Sequence, residues 1–363
     1  MDDAKEVFAM ARTTGTRSGG RLRVSRIKYV ALVISVVAAG LAWVTPASAV
    51  KPAPTPPTGR LAFGSIREWG TIPSSQLYAV NTDGTSLSKL TNFPWWAVFP
   101  TVSPDGTRII FGGIKPEAAF KDGNQALNHG HAIFHSHDIY VMNADGSHVA
   151  RLTHLGASPG PPAWSPDGST IAFSLRPPCP EPCGFPLPPV NHIALMNPDG
   201  SGITEITSGP DFDFGPTWSP DGSRIAFERD FNDGTGNSAL EVMNRDGSGL
   251  ISLLSGACCF AEPSWSPDGT KLAFWNGQLS ALQTLYLGSG KVTTLATSAS
   301  LGGGGDFRNA SWSPDGRWLA VGAEEFAFGG EGLYLVSADG KTILPVPNAE
   351  LGSDPAWLPT GSA

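Results

Sequence analysis

The feature that most constrains the fold of this chain is a twelve-residue pattern that recurs along it. In one clear copy, at residues 162–173, the sequence PAWSPDGSTIAF places two short apolar runs on either side of the tetrad SPDG. Ser and Asp close side-chain-to-backbone turns, Pro fixes its own φ, and Gly adopts positive φ without steric cost, so the tetrad predicts a tight turn between two strands. Similar segments begin at Pro100, Pro216, Pro263 and Ala310. The chain is therefore a repeat protein.

A second pattern follows each copy after a gap of variable length. In one copy it reads IYVMNADG at residues 139–146, followed by RLT at 151–153. Asn-x-Asp-Gly between alternating apolar residues predicts a hairpin, because Asp and Gly tolerate the left-handed backbone of such turns. Each unit thus has four strands, which we call A (PxW), B (IAF), C (IYVM) and D (xLT). The SPDG aspartates are 62, 54, 47 and 47 residues apart, a spacing typical of propeller blades.

The two ends of the repeat region are incomplete in complementary ways. Residues 61–63, LAF, form a B strand with no A strand before it, whereas Asp354 to Gly361 provide an A strand and a degenerate turn with nothing after them. The C-terminal strand is therefore predicted to be the innermost strand of the first blade, which removes the exposed edges of a linear array. We predict an all-β fold, a six-bladed β-propeller of four-stranded blades, over residues 60–361.

The first 49 residues have the pattern of a secretory signal. A basic segment precedes an apolar run at residues 29–44, and Ala47-Ser48-Ala49 forms an A-x-A site, so cleavage is expected after Ala49. The alternative is an uncleaved membrane anchor, although the run is shorter than the about 20 residues that a spanning helix needs. Residues 50–59, with four prolines, are predicted to be an extended linker. We expect an exported protein that is periplasmic, cell-surface or secreted.

Charge excludes one class of partner. Residues 1–49 hold seven of the 24 Lys and Arg and three of the 32 Asp and Glu, so the remainder has 17 basic and 29 acidic residues, a net charge of −12. Nucleic-acid binding requires clustered Lys and Arg, so it is not expected. Much of the acidity belongs to turn aspartates and does not by itself indicate a site.

The four cysteines occur as two close pairs. Disulfides are permitted in an exported protein, and we expect Cys179 to pair with Cys183 across a short Pro-rich loop. Cys258 and Cys259 are expected to form a vicinal disulfide or to reach other loops. A zinc site is the alternative, but no further ligands lie near Cys179 and Cys183 in sequence.

The predicted strand order divides the connections between two faces of the ring. The A–B and C–D connections are short, uniform turns on one face, which we call the turn face. The B–C and D–A connections lie on the opposite, loop-rich face, where residues 114–138 and 175–191 are insertions. Variable loops on a rigid scaffold commonly carry binding functions, so this face is the predicted functional face. Tolerated surface insertions are the alternative.

Residues just before the inner strands should surround the mouth of the central channel on that face. The candidate partner- or ligand-binding residues there are Trp95, Trp96, Phe99, Asp213, Phe214, Glu262, Arg308, Asn309 and Asp354. The aromatic side chains suit either a partner anchor or a plug over the channel. The carboxylates and the amide could hold a hard cation such as Ca²⁺ or simply be hydrated.

A histidine-rich segment lies in the insertion at residues 114–138. His129, His131, His135 and His137 fall within nine residues, and imidazole is a common ligand of zinc, copper and nickel. Alternate residues of an extended chain share a face, so the segment is a candidate transition-metal site. An exposed polar loop is the alternative. No other cofactor is expected.

Catalytic motifs have little support in the sequence. GASPG at residues 156–160 matches GxSxG, but the prolines that follow do not allow the strand–turn–helix context of a nucleophile elbow. The sequence has no Gly-rich phosphate loop and no zinc-protease motif. We predict no catalytic residue.

The sequence SPDG followed by IAF, then IYVMN-x-DG and RLT, resembles the WD-like propeller repeats of the TolB family. The resemblance covers nearly all of the chain after residue 59 and implies the propeller fold. TolB itself carries an N-terminal α/β domain, which this chain is expected to lack, and works in the periplasm with an outer-membrane lipoprotein. Related propellers also serve as sugar-lyase and peptidase scaffolds. No partner residues of TolB can be transferred to this sequence.

These observations predict an exported, monomeric propeller that binds a protein, peptide or glycan of the cell envelope through its loop-rich face. One alternative is a metal-assisted hydrolase or lyase, with the His-rich segment or the acidic channel mouth holding the cation. The other is a structural cell-envelope protein.

Overall fold

The computed structural model describes residues 55–67, 75–114, 137–154, 161–176, 190–257, 260–301, 305–325 and 332–358. Within these ranges the chain forms 24 β-strands and one short 3-10 helix, Ser298–Leu301. The strands are β1 Arg60–Ser65, β2 Gln76–Asn81, β3 Ser88–Lys89, β4 Trp96–Val102, β5 Arg108–Ile114, β6 His137–Asn143, β7 Ala150–Arg151, β8 Ala163–Trp164, β9 Ile171–Leu175, β10 His192–Met196, β11 Thr204–Glu205, β12 Phe212–Trp218, β13 Arg224–Asp230, β14 Asn237–Asn244, β15 Ile251–Ala257, β16 Phe260–Trp265, β17 Lys271–Asn276, β18 Ala281–Tyr286, β19 Lys291–Thr297, β20 Gly305–Trp312, β21 Trp318–Glu325, β22 Gly332–Ser337, β23 Ile343–Glu350 and β24 Gly352–Leu358.

The strands form six antiparallel sheets of four strands, and each sheet is one blade. Blade 1 has the order β24-β1-β2-β3, and blades 2 to 6 are formed by successive groups of four from β4–β7 to β20–β23. β24 pairs with β1 from Arg60 opposite Leu358 to Ser65 opposite Gly352. The predicted six-bladed propeller, closed by its C-terminal strand, is therefore confirmed. The closing strand begins two residues before the predicted Asp354, and the last residues, 359–363, lie outside the described ranges.

A network of hydrogen bonds around one carboxylate forms each SPDG turn. In blade 3 the Ser165 hydroxyl donates to Asp167 at 2.6 Å, and the same oxygen of Asp167 accepts from the Ser169 backbone N–H at 2.9 Å. The Thr170 N–H donates to Ser165 Oγ at 3.0 Å, and Gly168 has a φ of 68°. Because these donors favour the ionised form, they hold the pKa of Asp167 well below its usual range. The tetrad therefore determines its turn locally.

The hydrophobic core lies between neighbouring blades. Trp218 and Phe227 of blade 4, for example, pack with Ala172 and Ile193 of blade 3. The Trp218 indole N–H also donates to the Ala163 carbonyl of blade 3 at 3.2 Å. The same bond to the preceding blade is made by Trp312, to Ser264 at 3.1 Å, and by Trp357, to Ser311 at 2.9 Å. The Trp of the A strand therefore both fills the core and joins adjacent blades.

The outer strands differ between the two halves of the ring. In blades 1 to 3 they have two residues each, and in blades 4 to 6 they have seven or eight. In each blade with a short outer strand, the Thr of the xLT motif accepts a hydrogen bond from a backbone N–H of the C strand at 2.8–2.9 Å. These residues are Thr91, Thr153 and Thr207. The hydroxyl replaces the ladder partner that a longer outer strand would supply.

The predicted signal and most of the linker lie outside the described residues. Of the linker, residues 55–59 are described, and the Thr82 N–H donates to the Gly59 carbonyl at 2.9 Å while the Thr82 hydroxyl donates to the Pro57 carbonyl at 2.5 Å. The end of the linker is thus bound to blade 1 at the turn face. Across the described ranges, no helix is long and apolar enough to cross a membrane.

Candidate functional site: the mouth of the central channel

A β-bulge interrupts the inner strand of five blades at one equivalent position, four residues before the Ser of SPDG or its counterpart Leu358. One residue in each bulge has positive φ, between 46° and 56°. These residues are Phe99, Gly215, Glu262, Asn309 and Asp354. Blade 3 has Pro161 at the equivalent place, and Pro cannot adopt positive φ. Bulges redirect side chains and occur often beside functional sites, so the fold places one redirected residue from each of these five blades around the mouth.

Three consecutive blades contribute a polar arc to this ring, which consists of Glu262, Asn309 and Asp354. The Asn309 backbone N–H donates to Glu262 Oε2 at 2.5 Å, and its side-chain amide donates to Asp354 Oδ1. The Ser353 hydroxyl donates to the other oxygen of Asp354 at 3.1 Å. Asn309 therefore bridges two carboxylates from the neighbouring blades, which fixes the arc as one hydrogen-bonded unit.

The other three blades contribute an uncharged arc, which consists of Phe99, Pro161 and Gly215. Phe99 is half-buried. Phe214, directly before Gly215, has its ring 6.3 Å from that of Phe212 at an interplanar angle of 8°. The mouth is therefore asymmetric, with acidic and amide groups on one side and aromatic and small residues on the other.

The aromatic loop beside Phe99 is held firmly by blades 1 and 2. Trp95 stacks on Phe93 with ring centroids 4.0 Å apart and lies 4.8 Å from Tyr140. The buried Gln76 donates its side-chain amide to the carbonyls of Phe93 at 2.9 Å and Trp95 at 3.2 Å. Trp95 thus packs against the blade, whereas Trp96 begins β4 and is half-buried at the mouth. Gln76 was not identified from the sequence, because no motif around it indicates that its side chain holds the loop.

Asp213 lies in β12, two residues before Gly215, and forms an ion pair within blade 4. Its two oxygens accept from Arg229 Nε at 2.7 Å and from an Arg229 terminal nitrogen at 3.0 Å, and Asp213 is only 1% exposed. These hydrogen bonds raise the pKa of Arg229 further. Arg229 was not identified as a site residue from the sequence. The sequence feature that could have indicated it is the charged end, ERD, of the otherwise apolar B strand IAFERD at residues 225–230.

The remaining candidates fall partly outside the described residues. His129, His131 and His135 lie there, as do Cys179, Cys183, Cys258 and Cys259. His137 begins β6, and Arg308 lies in β20 next to the bulge of blade 6. In the part of the chain that the structure describes, no group of three or more His, Cys, Asp or Glu side chains is placed to hold a metal ion.

Comparisons with known proteins agree with this architecture. A family model described as the TolB beta propeller domain matches residues 189–361. The TolB homolog of Chlorobium luteolum is 30% identical over 155 residues, which is 42% of this chain and 28% of that protein. The match therefore spans less than a third of that relative's length.

Solved structures show the same fold at low sequence identity. TolB from Acinetobacter baumannii superposes with a TM-score of 0.63 at 20% identity, over 83% of this chain and 67% of that chain. Hydrazine synthase from Kuenenia stuttgartiensis superposes with a TM-score of 0.61 at 18% identity, over 83% of this chain and 47% of that chain. Because such different proteins share the architecture, the fold alone does not specify a function. Together with the repeats and the closed ring, these matches show that the chain is a six-bladed β-propeller, and that residues 189–361 are similar to the TolB beta propeller domain.

Proposed function

We propose that this chain is an exported binding module that holds a protein, peptide or glycan of the cell envelope at the channel mouth on its loop-rich face. The observation that carries the proposal is the ring of equivalent bulge positions. It presents acidic and amide groups on one side of the channel mouth and aromatic and small residues on the other. A regular structural ring would not need such a difference. A ligand that is part polar and part apolar would contact both arcs at once.

The polar arc supplies hydrogen-bond acceptors and negative charge. The Glu262 and Asp354 carboxylates are held by the Asn309 amide groups and by the Ser353 hydroxyl. Basic or hydrogen-bond-donating groups of a partner are the natural complement of such a surface. We therefore expect the bound segment to present Lys, Arg or sugar hydroxyls to this arc.

The aromatic side supplies apolar contact area on a rigid support. Trp96, Phe99 and Phe214 are half-buried, so each keeps part of its ring accessible. Aromatic residues dominate the energetics of many interfaces, and they stack on flat apolar groups. Because the loop at Phe93–Trp96 is already fixed by Gln76, little conformational entropy is lost when a partner binds.

The test uses substitutions that remove a side chain without straining the bulge. Phe99→Gly and Asn309→Gly suit positive φ better than the native residues do, which offsets part of the contacts that each side chain loses, and thermal melts establish that each variant is folded. Each chain, with a C-terminal affinity tag, is used to capture partners from a cell-envelope extract, and the captured partner is then titrated against each variant. We expect Phe99→Gly and Asn309→Gly each to weaken binding at least tenfold.

The matched control is Val149→Gly, which removes an exposed apolar side chain at the turn face. It should leave binding unchanged. Equal binding by the two mouth variants and the wild type would refute the proposed site. A loss of binding with Val149→Gly alone would place the contact on the turn face instead.

A further inference from the structure

The outer strands of the six blades form the rim of the ring, and each has one edge that faces away from its own sheet. Such edges present backbone N–H and C=O groups that can pair with another chain, and proteins protect them with short strands, charged residues or Pro. Five of the outer strands carry such protection. The protecting residues are Lys89 in β3, Arg151 in β7, Glu205 in β11, Lys291 in β19, and Pro345, Pro347 and Glu350 in β23.

β15 is the exception among these strands. It has seven residues with the sequence ISLLSGA, without a charged residue or Pro, and no residue from Gly247 to Ala261 is charged. Ile251 is 57% exposed and the preceding Leu250 is 45% exposed. A bulge at Leu253 bends the strand, but Leu254–Ala257 continue in regular register with β14. The edge of blade 4 is therefore long, neutral and apolar at one end.

A second copy of the same chain is the partner that this edge fits best. The chain has a net charge of −8, so most surfaces of two copies repel each other, and contact is favoured where charge is absent. A two-fold axis pairs identical surface patches. An antiparallel pair centred on Leu254 would place Ile251 opposite Ala257 of the other copy, and no charged residues would oppose each other.

We propose that two copies of this chain associate through the edge of β15, which joins the two blade 4 sheets into one continuous eight-stranded sheet. The contact lies on the rim and leaves both channel mouths open, so it is independent of the proposed function. A single strand-to-strand contact falls at the small end of specific interfaces, below about 1,200 Å² in total. The dimer is therefore weak and forms as concentration rises, with the monomer present at low concentration.

The test is sedimentation equilibrium of the chain as purified from its host, over about 5 to 500 μM, a range chosen for contacts with micromolar dissociation constants. Ile251→Lys places a charge on the edge and should raise the dimer dissociation constant at least tenfold. Val292→Lys, an exposed apolar position on β19, is the matched control and should change nothing. All variants share the same N-terminal segment, so differences between them report on the rim.

A charge-repair experiment tests the register of the pair. Ala257→Glu alone should weaken the dimer, and the double variant Ile251→Lys with Ala257→Glu should restore it, because each new ammonium group would face a carboxylate of the other copy. Circular dichroism confirms that each variant is folded. A wild-type chain that stays monomeric to 500 μM, or a dimer unaffected by Ile251→Lys, would overturn the proposal. Failure of the double variant to restore the dimer would overturn the antiparallel register.

Discussion

Two tryptophans at equivalent positions of the inner strands should respond differently to the same substitution. Trp164 and Trp218 are 6% and 5% exposed, and each has an Arg guanidinium over its ring, at 4.8 Å for Arg108 and 5.2 Å for Arg245. The Trp218 indole N–H donates to the Ala163 carbonyl. The Trp164 indole N–H is buried and has no hydrogen-bond partner in the part of the chain that the structure describes.

Replacing either residue with Phe removes a similar volume from the core, so the loss of packing is common to both variants. Trp218→Phe additionally loses a bond worth about 0.5–1.5 kcal/mol, whereas Trp164→Phe removes an unsatisfied donor whose burial costs about 1–3 kcal/mol. The free energy of unfolding should therefore fall further for Trp218→Phe, by about 2 kcal/mol or more relative to Trp164→Phe.

The measurement is guanidinium chloride unfolding followed by far-ultraviolet circular dichroism, with the two variants compared at equal m-values. A second pair offers an independent repeat. The Trp312 N–H is bonded to Ser264, whereas the Trp265 N–H, like that of Trp164, is buried without a partner among the described residues. Equal destabilisation within each pair, or a larger loss for Trp164→Phe, would refute the idea that this bond joins neighbouring blades.

Two further predictions concern a pair of glycines and the partly buried carboxyl group of Asp230. Gly200 and Gly168 both have positive φ, but a Cβ at Gly200 would lie 2.2 Å from the Leu152 carbonyl oxygen, whereas a Cβ at Gly168 would meet no atom closer than 3.9 Å. In thermal melts, Gly168→Ala should lower the free energy of unfolding by about 1–2 kcal/mol, which is the strain of a left-handed residue. Gly200→Ala should lower it clearly more, because it adds the clash with Leu152. Equal losses of stability in the two variants would exclude the clash. Burial raises the pKa of Asp230 to about 6 from 3.8, while a hydrogen bond with Glu228 lowers it in part. Its contribution to stability is therefore complete below about pH 4 and is lost as pH rises through 6. At pH 7 Asp230→Asn should therefore stabilise the protein by up to about 3 kcal/mol. The gain in stability should vanish near pH 4, as measured by guanidinium chloride unfolding. A stability difference between variant and wild type that does not change with pH would contradict the raised pKa of Asp230.

Much of the fold was predictable because the decisive signals are local and repeated. The SPDG tetrad forms its turn through bonds among residues at most five apart in sequence, so one copy suffices to predict it. Ring closure followed from counting strands, since the B strand at Leu61–Phe63 and the A strand at the C-terminus each lacked a partner. The bounds of β24 were displaced by two residues at its start, because its pairing with β1 extends beyond the repeat motif to Gly352.

The candidate site was less predictable, because its chemistry depends on which residues meet across blades. The sequence placed Asp213 among the mouth residues, but its environment depends on Arg229 of the next strand, which holds it 1% exposed. Trp95 was expected to act with Trp96, yet stacking on Phe93 turns it towards the blade. The link from Asn309 to Glu262 and Asp354 joins residues 47 and 45 positions apart, and no local pattern indicates it.

By itself, the sequence determined the repeat, the hairpins, the number of blades and the closure of the ring, because turn chemistry and strand periodicity act over a few residues. Only the tertiary structure showed that these mouth positions lie within the inner strands, and that five blades each have one residue of left-handed backbone at an equivalent bulge. It also showed that Gly200 is required by the close approach of the preceding blade as well as by its own turn. These features arise from contacts between blades, whose energies depend on distances that the order of residues does not contain.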